Sequence, residues 1–380
     1  MKLKLLILLG ILMCSCASEN PLDTILQSES PKISSVINKL EKHEVQILYT
    51  QIDRNSKNEV SFTEYEFNVS DSTYFYPASS VKFPIAVMAL EKLNKLKDNG
   101  IPIDRKTKYS ANQGNLYSSI ENDIIQIFSV SDNAAYNRLF EFLGQDYINQ
   151  NLVSKEISGR ISHRLSTSNA DASKTQPIIF KKRITDSLTI YSQEIIFNST
   201  PSKLDLINIS KGKGYYENDS LIKQPKDFSK KNYLPIKSLH ELMKRVQFPE
   251  VYDKKKSFNI SETDHRFLLK TMKLLPYESG YDKTKYYDGY VKFFMFGDTK
   301  DDIPQHIEIY NKVGYAYGYL TDCAYIKDSK NNIEFLLSAT IHVNENEIFN
   351  DDQYEYDEIG IPFLAELGRK IYTLELERKK

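Results

Sequence analysis

Hydrophobic and polar positions change their spacing several times along this chain, and each change marks an element. Ser30-Pro31 supplies an N-cap and a first-turn proline, after which Ile33, Val36, Ile37 and Leu40 follow at helical spacing. "VQILYTQID" and "VSFTEYEFNVS" carry the β-branched and aromatic residues of two strands, and the polar turn "RNSKNE" joins them into a hairpin. From Phe83 to about Lys97 the pattern is helical, and Asn115 to Leu143 reads as helices with short polar joins. Between Lys181 and about Asn232 the chain turns rich in Lys, Asn and Ser, with strand-like pieces such as "SLTIYSQEIIF" and the turn-forming "KGKGYYENDS". This region reads as an insertion on the surface. "SLHELMKRV" and "DHRFLLKTMKLL" predict further helices. "HIEIYNKVGYAYGYLTDCAYIKDSKNNIEFLLSATIHV" then gives three strands with tight turns at Gly314 to Gly318 and at Asn331-Asn332, and "FLAELGRKIYTLELERKK" one amphipathic helix. Strands from both chain ends around a helical middle predict an α/β (α+β) fold: an antiparallel sheet covered by helices.

The first residues stand outside that pattern. Lys2 and Lys4 are basic, Leu5 to Met13 is apolar, and small residues follow, which together read as an export signal over residues 1–16. The apolar run is too short to span a bilayer. Its end, "MCSCAS", resembles the lipobox of bacterial lipoproteins, with Cys16 behind Ser15 as the lipidated residue; ordinary cleavage after "CAS" is the alternative. Residues 17–29 then form a polar tether, and 30–380 the folded domain, with a helical subdomain over about 83–300 that contains the insertion at about 181–232. The expected location is exported and lipid-anchored to a bacterial membrane, periplasmic or at the cell surface. Loss of the signal with Cys14 leaves Cys323 without a disulfide partner, as a small buried hydrophobe.

Charge narrows the function. Fifty Lys and Arg against 51 Asp and Glu leave a formal net charge of −1, so no basic field exists to hold nucleic acid by counterion release. His43, His163, His240, His265, His306 and His342 show no paired metal-ligand spacing and no Cys partners. No metal and no cofactor is expected.

Candidate chemistry begins at "YPASSVKFPIAVMALEKL", where Ser79 and Lys82 stand just ahead of a helix. Residues three apart share a helix face, so Lys82 can reach the Ser79 hydroxyl, and a buried lysine with a lowered pKa can take its proton. A helix N-cap by Ser79 or Ser80 explains the same serines. Ser-x-x-Lys also recurs at Ser210/Lys213 and Ser220/Lys223 in turn-like surroundings, so spacing alone does not decide. Ser131-Asp132-Asn133 follows 49 residues beyond Lys82, and Lys312-Val313-Gly314 a further 179 beyond Asn133, on a predicted strand. Taken singly, Ser131 and Asn133 are turn formers and Lys312 a solvated strand lysine.

As an ordered set, Ser79/Lys82, Ser131/Asn133 and Lys312/Gly314 match S-x-x-K, S-D-N and K-T-G. This resembles the penicillin-recognising serine hydrolases, class A β-lactamases above all. The resemblance runs from the helix near Ser30 to the last helix, leaving out signal and insertion. It implies a β-lactamase/DD-peptidase-like fold, a five-stranded antiparallel sheet flanked by helices plus an all-helical subdomain. It also implies roles: Ser79 as nucleophile on a β-lactam or related amide, Lys82 as base or relay, and Ser131 passing a proton to the leaving nitrogen. Asn133 would hold a substrate amide, Lys312 would supply charge for a carboxylate, and Gly314 would admit the ligand to the strand. The oxyanion would lie between the backbone N–H groups of Ser79 and Tyr315.

Two positions depart from the set. Val313 replaces the hydroxyl residue of K-T-G. The family's deacylating glutamate, on a loop after the S-D-N helix, has no counterpart in "GRISHRLSTSNADASKTQP", where Asp171 is the one carboxylate. The expected function is a serine hydrolase acting on a small-molecule β-lactam or cell-wall peptide. A penicillin-binding or peptidase-like acyl enzyme with slow deacylation, and a non-catalytic binding or sensor module, are the alternatives.

Overall fold

The computed structural model describes residues 20–111, 117–182 and 188–378. The signal, Cys16 and the first tether residues lie outside them. Five strands form the main sheet: β1 (Gln46–Arg54), β2 (Val60–Phe67), β3 (Ile307–Ala316), β4 (Tyr319–Asp328) and β5 (Ile333–His342). Their order is β3-β4-β5-β1-β2, every pair antiparallel, so the two chain ends share one sheet as the sequence predicts. The expected turn at Gly314 to Gly318 narrows to Tyr317-Gly318, because Gly314 continues β3.

Alternation divides the sheet's side chains between two cores. Ile47, Tyr49, Val313, Ala324 and Leu337 face one, with Phe363, Leu367 and Ile371 of the C-terminal helix. Cys323 and Leu336 face the other, with Leu239 and Met243. The helices that pack on the sheet or frame the site are α1 (Pro21–Leu26), α2 (Pro31–Ile37), α3 (Lys82–Asp98), α4 (Ile120–Val130), α5 (Asn133–Leu143), α6 (Gln145–Ser154), α7 (Ile236–Gln247), α8 (Glu262–Met272) and α9 (Ile361–Arg378). Helix α3 is buried all round from Lys82 to Glu91 and again at Leu93, as the central helix of the helical block must be.

Two expectations change. Residues 21–26, read as tether, form α1: the Asn20 side chain accepts from the Leu22 N–H, Pro21 opens the first turn, and Leu22, Ile25 and Leu26 are buried against the sheet-and-α9 core. Three apolar side chains at i, i+3 and i+4 outweigh a polar composition. The insertion is also more than a surface appendage. Thr189–Gln193 pairs with Ile178–Lys181, which pairs on its other side with Lys108–Ala111 in a small separate sheet, Phe228 is fully buried, and Lys211 donates to both carboxylate oxygens of Glu44 at 2.9 and 2.7 Å. Cys323 is buried as expected, its thiol pushed up by burial.

Candidate active site

Ser79 lies in a 3₁₀ turn, Ala78–Val81, that runs directly into α3. The two neighbouring serines separate in role: the Ser80 hydroxyl is buried and donates to the Pro77 carbonyl at 2.7 Å, whereas Ser79 lines an open cleft of about 520 Å³. Among the described residues no hydrogen bond reaches the Ser79 hydroxyl. Ala78 before it sits at φ +45°, a left-handed conformation that costs a non-glycine residue on the order of 1 kcal/mol and turns the serine toward the cleft.

Lys82 is fully buried, and among the described residues it makes no hydrogen bond to the Ser79 hydroxyl that the sequence expects it to reach. It donates to Asn133 Oδ1 at 2.7 Å, to the Ser131 carbonyl, and to Ser131 Oγ at 3.3 Å. Lys312, 2 % exposed, comes from β3 and donates to the same Ser131 Oγ at 2.8 Å and to the Val313 carbonyl at 2.7 Å. Ser131 holds this position because it ends α4 at φ +58°, and Asp132 at once caps α5 by accepting from the Ala135 N–H. An oxygen that accepts from two ammonium groups keeps its own proton for a third partner.

Burial sets the protonation of the two lysines. Desolvation lowers Lys82 to about 7, with Asp132 opposing. Lys312 is held well below the usual lysine value, first by burial and then by the charge of Lys82; Asp322 opposes. Asp322 accepts from the Asn311 side chain at 2.8 Å and from the backbone N–H groups of Phe293 and Phe294, behind β3.

Strand β3 presses against the serine turn. A Cβ at Gly314 would lie 2.6 Å from the Pro77 carbonyl oxygen, 2.7 Å from the Ser80 nitrogen and 2.9 Å from the Ser79 nitrogen, so only glycine permits this approach. Tyr315 follows into the cleft with its ring half exposed. Val313, expected to stand where a hydroxyl would meet the ligand, is buried in the sheet-and-α9 core and is not among the residues lining the cleft.

The loop after α6 corrects another expectation. Asp171 is exposed and does not line the cleft, whereas Leu165 and Ser166 do. The loop is pinned to one face of α5 by Asn133, Asn137 and Glu141, four residues apart. Asn133 Nδ2 donates to Ser166 Oγ at 2.9 Å, Asn137 both donates to and accepts from the Leu165 backbone at 2.9 Å, and Glu141 pairs with buried Arg164. Arg164 also donates to the carbonyls of Ala172 and Lys174, at 2.9 Å each, closing the loop. Ser166, at φ +50°, thus occupies the loop position beside Asn133. The residue type expected there is a carboxylate, and nothing in the sequence around Ser166 singles this serine out.

Among the described residues no group of three or more His, Cys, Asp or Glu is placed to hold a metal ion, and no helix is long and apolar enough to cross a membrane.

Comparison with known proteins bears on the fold that carries these residues. Along 93 % of its length the chain shares the fold of a β-lactamase from Sphaerobacter thermophilus DSM 20745, covering 96 % of that protein at 12 % identity and a TM-score of 0.50. A mutant of PBP-A, seen as an acyl-enzyme complex with penicillin G, matches with the same coverages and identity at 0.51. The fold is that of the β-lactamases and penicillin-binding peptidases. The model of the β-lactamase enzyme family matches residues 30–190, which hold Ser79, Lys82, Ser131 and Asn133. No curated protein matches the chain.

Gly314 offers a direct test of the strand's approach. Gly314→Ala is expected to push β3 off the serine turn and slow covalent labelling of Ser79 by about 10²-fold, a loss typical of an ångström-scale misplacement. Stopped-flow labelling with a fluorescent penicillin reads this, with thermal unfolding as the control for folding.

Proposed function

We propose that the protein is a serine acyl-transfer hydrolase of the β-lactamase and penicillin-binding type, with acylation faster than deacylation. The observation that carries this is the cleft-facing Ser79 beside two buried lysines that share the Ser131 hydroxyl. In acylation the Ser79 Oγ–carbon bond forms, the amide or lactam carbon–nitrogen bond breaks, and the Ser79 proton ends on the leaving nitrogen. Neutral Lys82 accepts that proton, and Ser131, with its oxygen held by both lysines, delivers one to the nitrogen. The backbone N–H of Ser79, at the start of a helical turn, and that of Tyr315 form the oxyanion site. Asn133 holds the substrate's amide side, and Gly314 admits it to the strand.

Deacylation requires a base for water. Ser166 and Asn133 occupy the loop side of the serine, and Asp171 stays outside the cleft. A hydroxyl is a poor general base at neutral pH, and such help is typically worth about 10²–10⁴-fold in rate. This favours the penicillin-binding alternative, an enzyme that holds its acyl adduct, over rapid β-lactam turnover. A sensor that reads the adduct would use the same chemistry. We further propose that Cys16 carries lipid and anchors the exported protein to a membrane.

Intact-mass spectrometry with a penicillin tests the chemistry. Ser79→Ala is expected to abolish the adduct, while Ser210→Ala and Ser220→Ala keep it. Ser166→Glu is expected to shorten the adduct's life by about tenfold or more. An adduct that survives Ser79→Ala refutes the nucleophile.

Acylation should also follow Lys82. Because burial lowers its pKa to about 7, the neutral base is scarce below that pH and abundant above it. The labelling rate is expected to climb through about pH 7 and level off beyond, well below the range in which an ordinary lysine titrates. A profile flat between about pH 5.5 and 8.5 would remove Lys82 as the base. For the anchor, radiolabelled fatty acid is expected in the wild-type protein and absent from Cys16→Ala, which should leave the membrane fraction.

A further inference from the structure

The far wall of the cleft is made by a segment that none of the motifs contains. After β5 the chain runs through Ile348–Phe349, which pairs in parallel with Gly214 and Tyr215 of the insertion, and Asn350 Nδ2 donates to the Tyr216 carbonyl at 2.9 Å. The hydroxyl of Tyr354 accepts from the Asn350 N–H at 2.9 Å, and that of Tyr356 from the Gly318 N–H at 2.8 Å. These bonds fix two rings that continue into a tyrosine surface. Tyr356 packs edge-on against Tyr315 at 5.4 Å and tilted against Tyr354 at 5.3 Å, and Tyr76 lies edge-on to Tyr317 at 4.9 Å; all five rings line the cleft with Ser79.

Charge among the residues that line the cleft has one sign. Of the described residues lining the cleft, Asp352 is the one carboxylate, and none is Lys, Arg or His. Asp352 is exposed and makes no ion pair or side-chain hydrogen bond among the described residues. The motif lysines do not offset it, because Lys82 and Lys312 are buried and their ammonium groups are engaged inside the protein. A substrate carboxylate entering here meets π-faces and a like charge. An ammonium group meets an unpaired carboxylate and aromatic faces, an arrangement that attracts cations. The wall already carries one from behind: the Lys226 ammonium lies 4.5 Å from the ring centre of Tyr215 and 5.5 Å from that of Tyr317.

We infer that the acyl donors this protein selects carry an ammonium group near the scissile amide, received by Asp352 and the tyrosine wall. The class is that of amino-bearing amides and lactams, and Asp352 is its specificity determinant. The inference rests on Ser79 forming the acyl-enzyme. It also gives the insertion a task, since Tyr216 and the parallel pairing hold the wall in place.

A matched pair of probes tests it. Ampicillin differs from benzylpenicillin by one α-amino group, which is charged at about pH 6. The second-order rate constant for acylating Ser79 is expected to be about three- to tenfold higher for ampicillin, the scale of an exposed cation–π contact plus an exposed ion pair. The ratio should fall toward one in Asp352→Asn and be kept in Asp352→Glu. Equal rates in the wild type, or a preference that survives Asp352→Asn, overturn the inference while leaving the acyl-enzyme standing. No Ser79 adduct with either probe overturns the acyl-enzyme reading, and the inference with it.

Discussion

Two ammonium groups, taken from opposite ends of the chain, converge on the hydroxyl of Ser131. Burying one lysine cation costs several kcal/mol, and burying two beside each other adds their repulsion. The protein meets this with acceptors: the Ser131 carbonyl and hydroxyl, the Asn133 amide oxygen and the Val313 carbonyl take the protons of both. Full charge on both is still unfavourable, so the pair yields a base near neutrality. The whole arrangement hangs on the left-handed residue between α4 and α5. Without that sharp corner, Ser131 could not present its carbonyl and its hydroxyl to one side, and Asn133 would not begin the next helix beside them.

The motif residues were readable because each is a chemically unusual choice in its setting, and three such choices in order are hard to arrange by accident. The sheet was readable for a similar reason: Val, Ile, Tyr and Phe crowd the segments that form β1, β2 and the last three strands. Helix α1 was not, although Asn20-Pro21 carries a cap and a first-turn proline, because its apolar residues are few and its flanks polar. Ser166 escaped because a serine in a loop of Ser, Asn and Ala has no distinguishing feature until Asn133 is seen to reach it. Asp171 stands out in the sequence by type alone, and the fold leaves it exposed and outside the residues that line the cleft. The tyrosine wall was hidden in composition. With 26 tyrosines and no tryptophan, Tyr354 and Tyr356 look like any others, and only the fold brings them to Tyr76.

The insertion is joined to the domain at chemically different places. Lys211 pairs with Glu44 before β1, Phe228 packs with Tyr74, Tyr317 and Phe349, and Gly214 and Tyr215 pair with the segment after β5. A region rich in Lys, Asn and Ser can thus be structural when a few of its residues are not. Loss of the pairing with the segment after β5 would be felt at the cleft mouth, because that segment supplies Asn350 and Tyr354.

Helix α1 also fixes a distance. Among the described residues its burial begins at Leu22, and with Cys16 lipidated as proposed just four residues, 17–20, lie between the anchor and Pro21. Fully extended they reach about 14 Å. The leash is too short for the domain to sweep the space above the bilayer, and the protein would patrol a layer scarcely deeper than itself. Diffusion then becomes lateral, and the molecules it meets are those that linger at the membrane surface.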